Sequence, residues 1–205
     1  MSVNNFIAKQ LASPRGFSGK MVSFFMNRQN HTMYEETIRL LALSDSDSVL
    51  DIGCGNGYVL NMIARRHGGA FTGVDISKSI IQAAVHRNRA IVNKGNMQFA
   101  CQNVSDMSFA ENSFSRIYTI NTVYFWDDLN GVMAEIYRVL KPNGIFVNTL
   151  YSNDTLNKFA HTTVRYKKFT EQELTNAGTG AGFSVEIVPI LNWAAFCYLY
   201  RKIAE

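Results

Sequence analysis

The stretch Val49-Leu50-Asp51-Ile52-Gly53-Cys54-Gly55-Asn56-Gly57 decides how the chain reads. Val-Leu-Asp-Ile has the composition of a strand buried on both faces, as in a parallel sheet. Glycines then fall at Gly53, Gly55 and Gly57, where the lack of a Cβ allows a sharp turn and close approach of a ligand to the main chain. The periodic segment from Tyr58 to Arg66 predicts a helix whose free amide groups point into the same crevice. Strand, glycine turn and helix together form an arrangement suited to a nucleotide.

Working outward, short apolar runs alternate with helical periodicities after about residue 48, the pattern of an α/β fold. Strands are expected near 48–52, 70–75, 97–101, 115–120 and 143–150, and helices near 57–67, 77–92 and 127–140. The last of these helices starts at Asp127 or Asp128 and stops at Lys141-Pro142-Asn143-Gly144. Thr170 with Glu173 predicts a capping box. Phe183 to Ile190 and Trp193 to Tyr200 read as two strands with only Leu191-Asn192 between them. Parallel neighbours need a long crossover, so this pair is expected to be antiparallel. Residues 1–44 lie outside the alternation and read as a helical lid over the crevice, followed by a single domain over 45–205.

Composition narrows the function classes. The chain has 205 residues, 47% hydrophobic and 18% charged, with a net charge of +4, which suits a globular enzyme of one domain. No long basic run appears, so nucleic acid is not an expected partner. Cys54, Cys101 and Cys197 fit no metal spacing and no disulfide framework, so no metal is expected and a reducing, cytoplasmic setting is. No apolar stretch is long enough for a membrane span. Phe6, Phe17, Phe24, Phe25 and Met26 give the lid an apolar face that could also meet a second copy in a homodimer.

Which nucleotide follows from what is missing. A dinucleotide fingerprint, G-x-G-x-x-G, needs a third glycine where this chain has Tyr58 or Leu60, depending on register. No Gly-Lys-Ser/Thr phosphate loop is present either. The next apolar run, Phe71-Thr72-Gly73-Val74-Asp75, ends in a carboxylate where a second strand's end would meet the first. Such a group can accept from both hydroxyls of a ribose.

Asp51-Ile52-Gly53-Cys54-Gly55-Asn56-Gly57, then Gly73-Val74-Asp75-Ile76-Ser77, then Arg138-Val139-Leu140-Lys141-Pro142-Asn143-Gly144 resemble the class I S-adenosylmethionine-dependent methyltransferases, in particular the small bacterial type-11-like members. The resemblance covers roughly residues 30 to 150, and Ile120 to Trp126 is similar to the segment after the family's fourth strand. It implies a doubly wound, seven-stranded, mostly parallel Rossmann-like sheet with an antiparallel C-terminal strand. It also implies S-adenosylmethionine as cofactor and methyl transfer to a small-molecule acceptor. An RNA or protein methyltransferase, or a non-catalytic module binding S-adenosylmethionine or S-adenosylhomocysteine, are the alternatives.

Residue by residue, the resemblance assigns Asp51 to the amino group of the methionine moiety. It sets Gly53, Cys54, Gly55 and Gly57 beneath the methionine and ribose, and gives Asp75 the ribose hydroxyls. Ile76 packs on the adenine face. Asn103, with Val104 beside it, takes the place of the usual adenine-binding Asp, with Asp106 as the other candidate. Asn121 is assigned main-chain contacts to the methionine part. Tyr124, Trp126 and Tyr166 are candidates to line the acceptor pocket, while Phe125 is expected in the core. His161 and Lys167 sit on the loop before the capping box. No catalytic residue is identified, because methyl transfer needs a base only when the acceptor must lose a proton.

Overall fold

The computed structural model describes residues 30–158 and 166–203, and the run at Val49 is an interior strand of its seven-stranded sheet. The strands are β1 (Ser48–Ile52), β2 (Ala70–Asp75), β3 (Met97–Cys101), β4 (Phe114–Ile120), β5 (Leu140–Tyr151), β6 (Phe183–Ile190) and β7 (Ala195–Lys202). Their spatial order is β3-β2-β1-β4-β5-β7-β6. The first five run parallel, and β7 is antiparallel to both β5 and β6. The short link from Ile190 to Ala195 cannot cross over a sheet, so the chain reverses there and the last strand inserts beside β5.

Seven helices accompany the sheet in the described residues: α1 (His31–Leu41), α2 (Tyr58–Ala64), α3 (Lys78–Arg87), α4 (Arg89–Val92), α5 (Leu129–Val139), α6 (Asn153–Asn157) and α7 (Glu171–Gly180). Successive side chains of a strand point to opposite faces. Val49 and Tyr118 therefore join a layer with Met33, Leu41, Leu60 and Ile63 of α1 and α2. Leu50, Ile52 and Ile117 join the other layer with Val132, Ile136 and Leu174 of α5 and α7. This two-sided cover is why β1 and β4 carry apolar residues on both faces, Val49, Leu50 and Ile52 in one and Phe114, Ile117 and Tyr118 in the other. None of the helices is long and apolar enough to cross a membrane, the described residues alone being considered.

The structure departs from the sequence reading in local detail. The helix expected over 77–92 breaks at Asn88, which separates α3 from α4. Lys141-Pro142-Asn143-Gly144, expected to stop the preceding helix, lies wholly inside β5. Phe114 pairs with Leu140 and Arg116 with Ile145, so the intervening residues bulge, with Asn143 at φ 62°. A bulge is how a strand interior accommodates a proline that cannot donate to the ladder. β7 starts at Ala195 rather than Trp193, because Leu191, Asn192 and Trp193 turn the chain with φ of 51°, 50° and 68°. The capping box forms as expected: Thr170 Oγ1 accepts from Glu173 N (3.2 Å) and Glu173 Oε2 accepts from Thr170 N (2.7 Å).

Of the expected lid, residues 1–29, and with them Phe6, Phe17, Phe24, Phe25 and Met26, lie outside the described residues. The rest forms α1, which packs on β4, β5 and β7. Thr37 Oγ1 shares a hydrogen bond with Thr149 Oγ1 (2.7 Å), and that hydroxyl reaches Cys197 Sγ at 3.3 Å.

α7 lies against β6 and β7, and a Cβ at Gly178 would run into the Tyr200 ring and within 3.1 Å of Val185 Cγ2. Gly to Ala inside a helix ordinarily stabilises by about 1 kcal/mol. Here Gly178→Ala is expected to destabilise by about 1–3 kcal/mol through overpacking, read as a lowered midpoint in thermal or urea denaturation.

Candidate functional site

The carboxyl ends of β1 and β2 meet at the glycine turn. Gly53, Gly55 and Gly57 all hold left-handed backbone, with φ of 70°, 53° and 69°. The N–H groups of Gly53 and Cys54 both donate to Val74 O, at 2.8 and 2.9 Å, so the turn is locked onto β2. The space beside Gly57 is filled, since a Cβ there would lie 2.9 Å from the Phe99 ring. At Gly55 a Cβ would meet nothing within 4 Å. The main chain is thus open to a ligand at Gly55 and closed at Gly57.

Asn88 is a residue the sequence reading missed. Its buried amide donates to Gly57 O (3.2 Å) and Ala84 O (2.9 Å) and accepts from Asn61 Nδ2 (2.7 Å). It therefore ties the last glycine of the turn to α2 and α3. The signal was available: Ile80, Ile81 and Ala84 form the buried face of α3, and Asn88 continues it as a polar residue.

Two acids approach this turn. Asp51 is buried, and its Oδ2 accepts from Tyr118 Oη at 2.8 Å. Burial pushes its carboxyl up to about 7, against the Tyr118 bond, and the Asp75 charge adds to the rise. Burial and that carboxylate together carry the Tyr118 hydroxyl well above its ordinary value. Asp75 ends β2, where Oδ1 accepts from Ser77 N (2.9 Å) and Oδ2 from Gly55 N (3.3 Å). Burial raises its pKa, and these two backbone bonds oppose the rise. Next to it Ile76 is 73% exposed, and its carbonyl accepts from Cys101 Sγ at 3.4 Å. Cys54 is buried within the turn, and burial drives its thiol far up. A thiol held protonated in this way is a poor nucleophile.

The remaining candidates spread along the same end of the sheet. Asn103 is exposed, and its Oδ1 accepts from Ser105 N at 3.2 Å; Val104 packs partly against the core and Asp106 is exposed. Asn121, after β4, is left-handed at φ 58°, and its N–H donates to Thr149 O (2.9 Å). Its Oδ1 accepts from Tyr124 Oη at 3.2 Å, and Tyr124 Oη accepts from Tyr151 N at 2.7 Å. Tyr124 and Trp126 are 2% and 5% exposed, both in the core layer beneath this rim.

Phe125, expected in the core, is instead 44% exposed. The segment Val123–Phe125 is a 3-10 turn, in which residues three apart eclipse. Val123 and Trp126 therefore share the inward side and Phe125 projects outward. Its ring meets Tyr166 edge-on at 5.0 Å, while Tyr166 stacks on Tyr124 at 5.1 Å. Lys167 pairs with Asp127 (3.2 Å), and His161 lies outside the described residues.

The buried acid yields a pH dependence. The folded pKa of Asp51 lies above the ordinary carboxylate value, so the protonated form favours folding. Stability is lost as pH rises between about 4 and about 7. Asp51→Asn should remove that loss. In the ligand-free protein it is expected to raise the melting temperature relative to wild type at pH 8, and less or not at all at pH 4.

Comparison with known proteins follows the same segment. The family model described as "Methyltransferase domain" matches residues 50–148, from within β1 through most of β5. A sterol 24-C-methyltransferase of Gibberella zeae is 33% identical over 122 residues, 57% of this chain and 32% of that protein. The O-methyltransferase resE of Aspergillus sclerotiorum is 34% identical over 110 residues, 54% of this chain and 42% of that one. The chain thus spans about a third to two fifths of the length of the curated relatives it matches. Among solved structures, geranyl diphosphate C-methyltransferase from Streptomyces coelicolor A3(2), bound to Mg2+, geranyl diphosphate and S-adenosyl-L-homocysteine, superimposes with a TM-score of 0.74 at 16% identity, covering 95% of this chain and 87% of that one. A SAM-dependent methyltransferase from Aquifex aeolicus gives a TM-score of 0.71 at 16% identity, covering 99% and 100%. These structural likenesses concern the fold.

Proposed function

We propose that this chain, which matches the model described as "Methyltransferase domain" over residues 50–148, is a class I S-adenosylmethionine-dependent methyltransferase that binds S-adenosylmethionine at the glycine turn and methylates a small molecule. The observation that carries the reading is the Asp75 corner. A half-buried carboxylate with two of its roughly four lone-pair sites taken by Gly55 N and Ser77 N stands beside the bare main chain of Gly55. Next to it, Ile76 offers an apolar ledge to solvent. A carboxylate able to accept from a ribose diol, with an apolar surface for a base, is the donor set an adenosyl group asks for.

Asp51 supports the other end. Burial, with the Asp75 charge adding to it, holds its carboxyl up at about 7. An ammonium group beside it would favour the ionised form, so the residue fits the amino group of the methionine moiety. Asn121 has its N–H on Thr149 O and its side-chain oxygen on Tyr124, so its carbonyl is the main-chain group that would contact the same part. Asn103 and Val104 would border the adenine, with Cys54 and the glycines below.

When bound, S-adenosylmethionine supplies a methyl group already activated on a sulfonium sulfur. The chain's contribution is therefore binding, alignment and exclusion of water. Phe125 and Tyr166 give the rim aromatic faces suited to a cation or an apolar acceptor. Tyr124 and Trp126 act from beneath, as support. A small-molecule acceptor is favoured by the relatives, which include a sterol 24-C-methyltransferase and an O-methyltransferase. The residues before β1 would complete the cover: Asn30 Oδ1, at the start of α1, accepts from Tyr151 Oη at 2.7 Å beside the Tyr124 network.

Calorimetric titration tests the reading. Wild type is expected to bind S-adenosylmethionine and not NAD, and Asp75→Ala to weaken binding at least roughly tenfold, the loss of charged hydrogen bonds to the ribose. NAD binding alone would overturn the assignment. Binding without methyl transfer to any acceptor in a screen with labelled cofactor would favour a non-catalytic module.

A further inference from the structure

We infer that the Glu135–Arg138 pair of α5 positions the loop that receives the adenine end of the cofactor; the inference rests on the methyltransferase reading above. Residues 102–110 follow β3 without regular secondary structure and carry Asn103 and Val104. The loop begins at the cofactor corner itself, because Gln102 N donates to Asp75 O at 3.1 Å. Its far half is gripped from α5. Arg138 donates to Phe109 O (2.8 Å) and Met107 O (3.0 Å), and Glu135 Oε1 accepts from Met107 N (2.9 Å). The two side chains are joined by a two-pronged ion pair, with Nε and Nη2 of Arg138 each 2.7 Å from a Glu135 oxygen.

These bonds converge on the loop. Spaced three apart, the two residues share one face of α5, and that face aims at main-chain groups of residues 107–109. A guanidinium can address several acceptors at once in fixed geometry. The grip is then carried back to the adenine side. Ser108 N and Oγ bond the Gln102 side chain at 3.1 and 2.8 Å, closing the loop on itself next to Asn103. Asn103 O and Oδ1 accept from Asp106 N and Ser105 N, both at 3.2 Å. Burial works against the charge on Glu135, but the bonds from Arg138 and Met107 N outweigh it and hold the carboxyl below its ordinary value. The pair is therefore ionised at neutral pH. It also gives a physical role to Arg138 of the Arg-Val-Leu-Lys-Pro-Asn-Gly segment, which lies far from Asn103 in sequence.

The test is calorimetry with S-adenosylhomocysteine and with its inosine counterpart, in which a carbonyl replaces the adenine amino group, on wild type, Arg138→Lys and Glu135→Gln. A lysine ammonium cannot span the acceptors that the guanidinium holds. Both variants are expected to bind S-adenosylhomocysteine roughly tenfold more weakly and to lose most of the preference for it over the inosine form. Arg39→Gln, which breaks an exposed pair of the same spacing with Glu36, should leave affinity and preference unchanged. Circular dichroism checks folding; if Arg138→Lys does not fold, Glu135→Gln decides. A folded variant with wild-type affinity, or one that loses both ligands equally with its preference intact, overturns the inference. Wild type that binds neither ligand overturns the methyltransferase reading, and the positioning role falls with it.

Discussion

One carbonyl oxygen organises the site. Val74 O, near the end of β2, accepts from both Gly53 N and Cys54 N, so the loop leaving β1 is pinned across its neighbour at the moment it turns. This pair of hydrogen bonds goes with left-handed backbone at Gly53, φ 70°, which glycine adopts without steric cost. Once the turn is pinned, Gly55 N reaches the Asp75 carboxylate and Gly57 starts α2. Asp51, two residues before Gly53 on β1, is held inside the sheet beneath it. The positions of both acids follow from a single backbone constraint.

Electrostatics and packing pull in opposite directions there. Burial penalises charge on Asp51 and Asp75, and each is sustained by a small set of donors: a phenol for one, two backbone N–H groups for the other. The neighbouring Ile76 is left in water while much of the surrounding strand is buried. Polar groups kept short of partners beside an exposed apolar side chain describe a surface shaped for something that is both polar and flat, at the cost of the empty protein's stability.

How much was readable in the sequence depended on range. β1, β2 and the glycine turn were legible because each is a local pattern, and the antiparallel β6–β7 pair because loop length alone forbids the alternative. Asn88 escaped notice because its role depends on Gly57 and Asn61, thirty or so positions away in chain but adjacent in space. Phe125 was misplaced because three neighbouring aromatics look alike in sequence, and only the 3-10 turn decides which one faces out. The start of β5 was set late because a bulge, invisible to periodicity, carries Pro142 inside the strand.

The sequence by itself therefore determined the order of elements, the doubly wound class and the acids at the strand ends, since these rest on hydrophobic period, turn chemistry and residue spacing along the chain. Only the tertiary structure decided how the turn is clamped by Asn88, how α5 holds the loop after β3, and which rim aromatics reach solvent. Those outcomes depend on hydrogen bonds and packing between segments far apart in sequence, and a one-dimensional pattern records which groups are present but not which of them meet.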